Sequence, residues 1–94
     1  MMLVGLFQFE LILPASDSLK AKRLVLKSLK TRLQNKFNIS VAEVAHNEKW
    51  QRTLLGCAIV SNERKMIEQA FNQIFNVIDN EQQVEIVDHQ MEVI

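Results

Sequence analysis

From Leu3 to Leu13 the chain alternates, with Leu3, Gly5, Phe7, Phe9, Leu11 and Leu13 on one side and Val4, Leu6, Gln8, Glu10 and Ile12 on the other. A period of two sustained over that length predicts a β-strand. Pro14 ends it, and Ala15 to Asp17 form a short connection. Ser18 suits a helix N-cap, because its hydroxyl can accept from an unpaired amide of the first turn. Val25, Leu26, Leu29, Leu33 and Phe37 follow at the spacing of a core-facing helical stripe. Asn38, which tolerates a left-handed backbone, is the expected stop. Ile39 to Ala45 reads as a second strand, β-branched at Ile39, Val41 and Val44. A polar connection from His46 to Gln51, broken by Trp50, leads to a nearly all-apolar third strand, Thr53 to Val60. Ser61 or Asn62 then caps a second helix, in which Met66, Ile67, Ala70, Phe71, Ile74 and Ile78 keep helical spacing. After a polar break from Asn80 to Gln83, Val84 to Val93 forms the last strand, and its alternation changes phase near Val87, as a bulge would make it do.

The order βαββαβ is the split βαβ, or ferredoxin-like, arrangement of an α+β protein. It predicts a four-stranded antiparallel sheet of order 4-1-3-2 with both helices on one face. Phe7, Phe9, Leu26, Leu29, Leu33, Phe71 and Ile74 are the expected core. Ninety-four residues are enough for one such core, so residues 1–94 are expected to form a single domain. The opposite sheet face should be polar in an isolated domain. Val4, Leu6 and Ile12 lie there instead, and the third strand is apolar on both faces. That pattern predicts a homodimer, formed through this face or through an edge strand.

Charge changes the picture more than composition does. The chain has 11 basic and 11 acidic residues, yet seven of the basic ones lie between Leu19 and Phe37, where there is no Asp or Glu. They are Lys20, Lys22, Arg23, Lys27, Lys30, Arg32 and Lys36. At about 100° per residue, Lys20, Arg23, Lys27 and Lys30 share one narrow stripe continued by Gln34, about 15 Å long. Lys22 and Lys36 flank the apolar side, where their stems are expected to cover core edges while their ammonium groups reach water. Exposed helices usually mix Glu with Lys to gain i,i+4 pairs. Cations near a helix N-terminus also oppose its dipole. A polyanion lying along the stripe explains both departures, and structured RNA is the expected partner, against the plain alternative of a solvated face. On this reading Lys20, Arg23, Lys27 and Lys30 carry the contact, helped by Lys22. Ser16, Ser18, Lys20 and Arg23 surround the same helix start and could hold one phosphate, but a simple cap beside Asp17 is the stronger reading.

The pieces Ser18-Leu19-Lys20-Ala21-Lys22-Arg23 and Trp50-Gln51-Arg52, with Phe37 to Val44 and Leu55-Gly56, resemble the YlxP-like family of small bacterial proteins. The resemblance covers essentially the whole chain. It implies a ferredoxin-like fold, a bacterial cytoplasmic setting and, because family genes often neighbour those of translation initiation and ribosome maturation factors, association with RNA or the ribosome. It brings no catalytic residues with it.

The remaining candidates are fewer. Trp50 and Arg52 form a secondary contact if the Trp stacks on a base beside the Arg. A peptide-binding tip is another use, and a lone Trp near a hairpin more often folds back over the core edge. Cys57, the only cysteine, lies in an apolar run and reads as a buried, inert thiol. His46 and His89 lack metal-ligand spacing, and Glu43 and Glu48 are not placed as an acid/base pair, so neither metal, cofactor nor catalysis is expected. An RNA-recognition motif would expose aromatics on the central strands, whereas Phe7 and Phe9 lie on the core side. No Cys-x-x-Cys loop or Gly-rich phosphate cradle follows the first strand. No basic segment precedes Leu3 as in a signal peptide, and no apolar run approaches the roughly 20 residues of a membrane span. The expectation is a non-catalytic, cytoplasmic RNA- or ribosome-associated protein. Its rival is a regulatory or interaction module that binds a small ligand or protein at a sheet-mediated dimer interface.

Overall fold

A computed structural model describes residues 1–94. The elements are β1 (Leu3–Ile12), α1 (Leu19–Lys36), β2 (Ile39–Ala45), β3 (Arg52–Ser61), α2 (Arg64–Asp79) and β4 (Glu85–Val93). The sheet runs β2-β3-β1-β4 with every neighbouring pair antiparallel, which is the expected ferredoxin-like order. The central position goes to the two strands with the most apolar residues, since only they are flanked by partners on both edges.

The alternation of β1 becomes a division between two faces. Phe7, Phe9 and Leu11 are buried and meet Leu29 and Leu33 of α1 and Ile67, Ala70, Ile74 and Ile78 of α2 in one core. Leu26 is buried as expected, while Phe71 is half-buried and stacks on Phe9 with ring centroids 5.5 Å apart. Gly5 makes room for α2 over the sheet: a Cβ there would run into the side chains of Ile67 and Ile59. The bulge falls where the phase change predicts it. Glu10 pairs with Asp88 and Leu11 with Ile86, leaving Val87 as the unpaired extra residue.

Several boundaries differ from the sequence reading by one or two residues. The α1 helix ends at an extended Phe37 rather than a left-handed Asn38, because the chain turns straight into β2. Ser61 belongs to β3, and Glu63 is the residue before α2. The Ser61 hydroxyl still accepts from the Glu63 amide at 3.1 Å, so it shapes the turn instead of capping the helix. The only non-glycine residue with a left-handed backbone is His46, φ 64°, at the start of the β2–β3 connection.

Candidate functional site

The cationic helix begins at a true cap. Ser18 Oγ accepts from the Ala21 amide at 3.0 Å, and the buried Ser16 hydroxyl donates to the Ser18 carbonyl at 3.1 Å. Both serines are thus occupied in local structure rather than turned to a ligand. Along α1, Lys20, Arg23 and Lys27 are exposed and Lys30 is half-buried, where the helical wheel alone makes it solvent-facing.

The stripe lies on the flank of α1 nearest β2, a sheet-edge strand. There Arg23, Lys27, Lys30, Thr31 and Gln34 line a cleft of about 360 Å³, with Leu26, Leu55 and Glu43 as its other lining residues. None of Lys20, Arg23, Lys27 or Lys30 takes part in an ion pair. Three of the four therefore share one open cleft with their charge unspent inside the protein.

The other cations of α1 are employed. Arg32 pairs with Glu81 at 2.8 Å, and Lys36 sits in the last turn, where the helix dipole favours it. Lys22 corrects the sequence reading. Its side chain is 0% exposed and cannot meet a partner molecule. Its Nζ lies 2.9 Å from Glu43 Oε2 and donates to the carbonyls of His46 (2.8 Å), Arg52 (3.3 Å) and Asn47 (3.4 Å). Glu43 also accepts from the Thr53 hydroxyl at 2.6 Å. Lys22 thus leaves the set of RNA contacts and becomes a clamp between α1 and the β2–β3 connection. A signal for this existed: Lys22 precedes Leu26, Leu29 and Leu33 by four, seven and eleven residues, which places it on the buried stripe itself.

Arg52 is also committed, with Nη1 2.8 Å from Glu10 Oε1. His46 Nε2 lies 3.0 Å from the same oxygen. Hydrogen bonds from Arg52 and then from His46 hold the Glu10 carboxyl below its ordinary value of 4.5. Trp50 does not fold over the core edge; it is 55% exposed and lines a shallow depression of about 580 Å³ with Ile12, Lys49, Gln51 and Arg52. Cys57 is buried as expected, and burial pushes its thiol up to about 12, so it is protonated and unreactive at neutral pH.

The sheet face away from the helices carries a second hollow of about 360 Å³, lined mainly by Leu6, Ala42, Val44, Gly56 and Ala58. Val44 lies against Gly56, where an added Cβ would come within 3.0 Å of it. Val44 and Val60 are exposed on β2 and β3. No helix is long and apolar enough to cross a membrane.

Comparison with known proteins places this arrangement. The designed protein Foldit4 covers 100% of this chain with 97% of its own length at a TM-score of 0.57 and 11% identity, a likeness of fold alone. The chain is 40% identical over 83 residues to a protein of Bacillus subtilis (strain 168) called Uncharacterized protein YlxP, covering 88% of this chain and 90% of that one. Residues 4–91 match the family described as Protein of unknown function (DUF503). With the relative and the family match agreeing over nearly its whole length, the chain belongs to the YlxP-like DUF503 family.

Proposed function

We propose that this protein is a non-catalytic, cytoplasmic accessory protein that binds RNA, free or in the ribosome, through the flank of α1 carrying Lys20, Arg23, Lys27 and Lys30. The observation that carries the reading is the unpaired state of those four cations, three of which line one open cleft. A merely solvated face would gain from acidic neighbours, and Arg32 and Lys22 show that this fold supplies them where pairing serves stability. Backbone phosphates fit an array of separate cations without base-edge readers, so binding is largely independent of sequence. Fluorescence anisotropy of a labelled ribosomal RNA fragment tests the reading: binding at low salt that fades as salt rises supports it, and no binding at low salt removes it.

A second reading rests on the apolar hollow of the open sheet face. A patch of this kind favours a closed twofold dimer, and a small ligand or protein would then be held where the two sheets meet. The two readings use opposite faces of the molecule and are compatible.

A further inference from the structure

We infer that Trp50 is a stacking platform for an unpaired nucleobase, so that the RNA held by α1 carries a single-stranded segment that turns round the end of the sheet. The inference rests on the RNA reading of α1 and adds the class of RNA that the site takes.

Folding gives no reason for the exposure of Trp50. It is the chain's only Trp, 55% exposed, on a connection that could have closed over apolar surface. The indole is nevertheless presented from a secured loop. On one side Gln51 Nε2 donates to the carbonyls of Pro14 (3.2 Å) and Ser16 (3.1 Å), and the Gln51 carbonyl accepts from the Leu13 amide at 2.9 Å. The Lys22 ammonium holds the carbonyls of His46 and Asn47 before it and of Arg52 after it. The backbone that presents the indole is therefore fixed relative to the start of α1, which lowers the cost of ordering the connection on binding.

The depression beside Trp50 has the chemistry of a base site. Ile12 gives it an apolar wall, Lys49 is a cation without an ion pair, and Gln51 adds an amide. Arg52 contributes less than its position promises, because Glu10 already holds its guanidinium. An aromatic face accepts any base, in keeping with cations that read only phosphates.

Placement decides between single and double strand. Ile12 pairs with Arg52 on the face that also carries Glu10 and Leu54, away from the helices. The cations of α1 lie on the helix side. A continuous ligand touching both must bend sharply at the end of the sheet and offer a base face there. An unpaired strand does both, whereas a duplex is stiff and its bases are stacked on each other.

Because the chain has one Trp and no Tyr, indole fluorescence reports Trp50 alone. The full protein is titrated with an unstructured oligoribonucleotide of about ten nucleotides, with inorganic polyphosphate of matched charge, and with duplex RNA. Quenching by the oligoribonucleotide and not by polyphosphate or duplex is expected. Trp50→Ala should weaken oligoribonucleotide anisotropy binding about tenfold with an unchanged salt slope, and Trp50→Phe should restore most of the loss. Equal fluorescence changes with polyphosphate, quenching by the duplex as strong as by the single strand, or unweakened binding by Trp50→Ala would overturn the inference while leaving the α1 reading standing. If no RNA or polyphosphate binds at all, the α1 reading fails and the inference falls with it.

Discussion

The Lys22 ammonium lies 2.9 Å from the Glu43 carboxylate, with the lysine side chain wholly enclosed and the glutamate 17% exposed. Three backbone carbonyls share the same ammonium, so each of its protons has an acceptor. The pair joins the first turns of α1 to β2 and to the connection that carries Trp50. It is a structural device that sets the geometry of the proposed interface without touching the ligand.

Breaking that pair from the lysine side leaves a half-buried carboxylate without its cation and orphans enclosed carbonyls. Lys22→Met should therefore cost about 3–5 kcal/mol in chemical denaturation, whereas Lys20→Met, at an exposed and unpaired site, should stay within about 0.5 kcal/mol of wild type. Equal costs for the two would show that Lys22 is not enclosed.

The contrast between these two lysines marks how far the sequence can be read. Period-two and helical patterns depend on burial against the chain's own core, so the topology, the strand order and the Val87 bulge were legible. The exposed cations of α1 were legible too, because the wheel places them on one flank. For Lys22 the spacing to Leu26, Leu29 and Leu33 signals burial, but its partners were not legible, since they lie 21 to 30 residues away and three of them are backbone carbonyls, which have no signature in residue type. The same holds for Arg52. Its exposure is cut by Glu10, which β1–β3 register brings near, and no local spacing announces that ion pair.

Glu10 makes stability depend on pH with a definite sign. Its folded pKa is depressed by Arg52 and His46, so its contribution is present above the ordinary value of 4.5 and is lost as pH falls from there through the lowered folded value. The stability difference between wild type and Glu10→Gln should therefore be largest above that ordinary value and shrink on acidification. Parallel pH profiles for the two proteins in urea denaturation would contradict the pairing.

The open sheet face predicts self-association. Wild-type protein should sediment as a dimer at micromolar concentration, and Ala58→Glu, which puts a charge into the hollow beside Leu6 and Val44, should sediment as a folded monomer. A wild-type monomer under those conditions would remove the dimer and the second functional reading with it.

The central claim is that the cations of α1 bind RNA phosphates, and salt dependence counts those contacts. Four contacts give a slope of about −3 for log K against log salt, with each phosphate contributing about 0.7–0.9. Arg23→Glu with Lys27→Glu changes two exposed cations that hold no ion pair, so the fold should persist. The account predicts that this double variant binds a labelled ribosomal RNA fragment more weakly, with a slope flattened to about −1.5. Equal affinity and equal slope for the two proteins would contradict it.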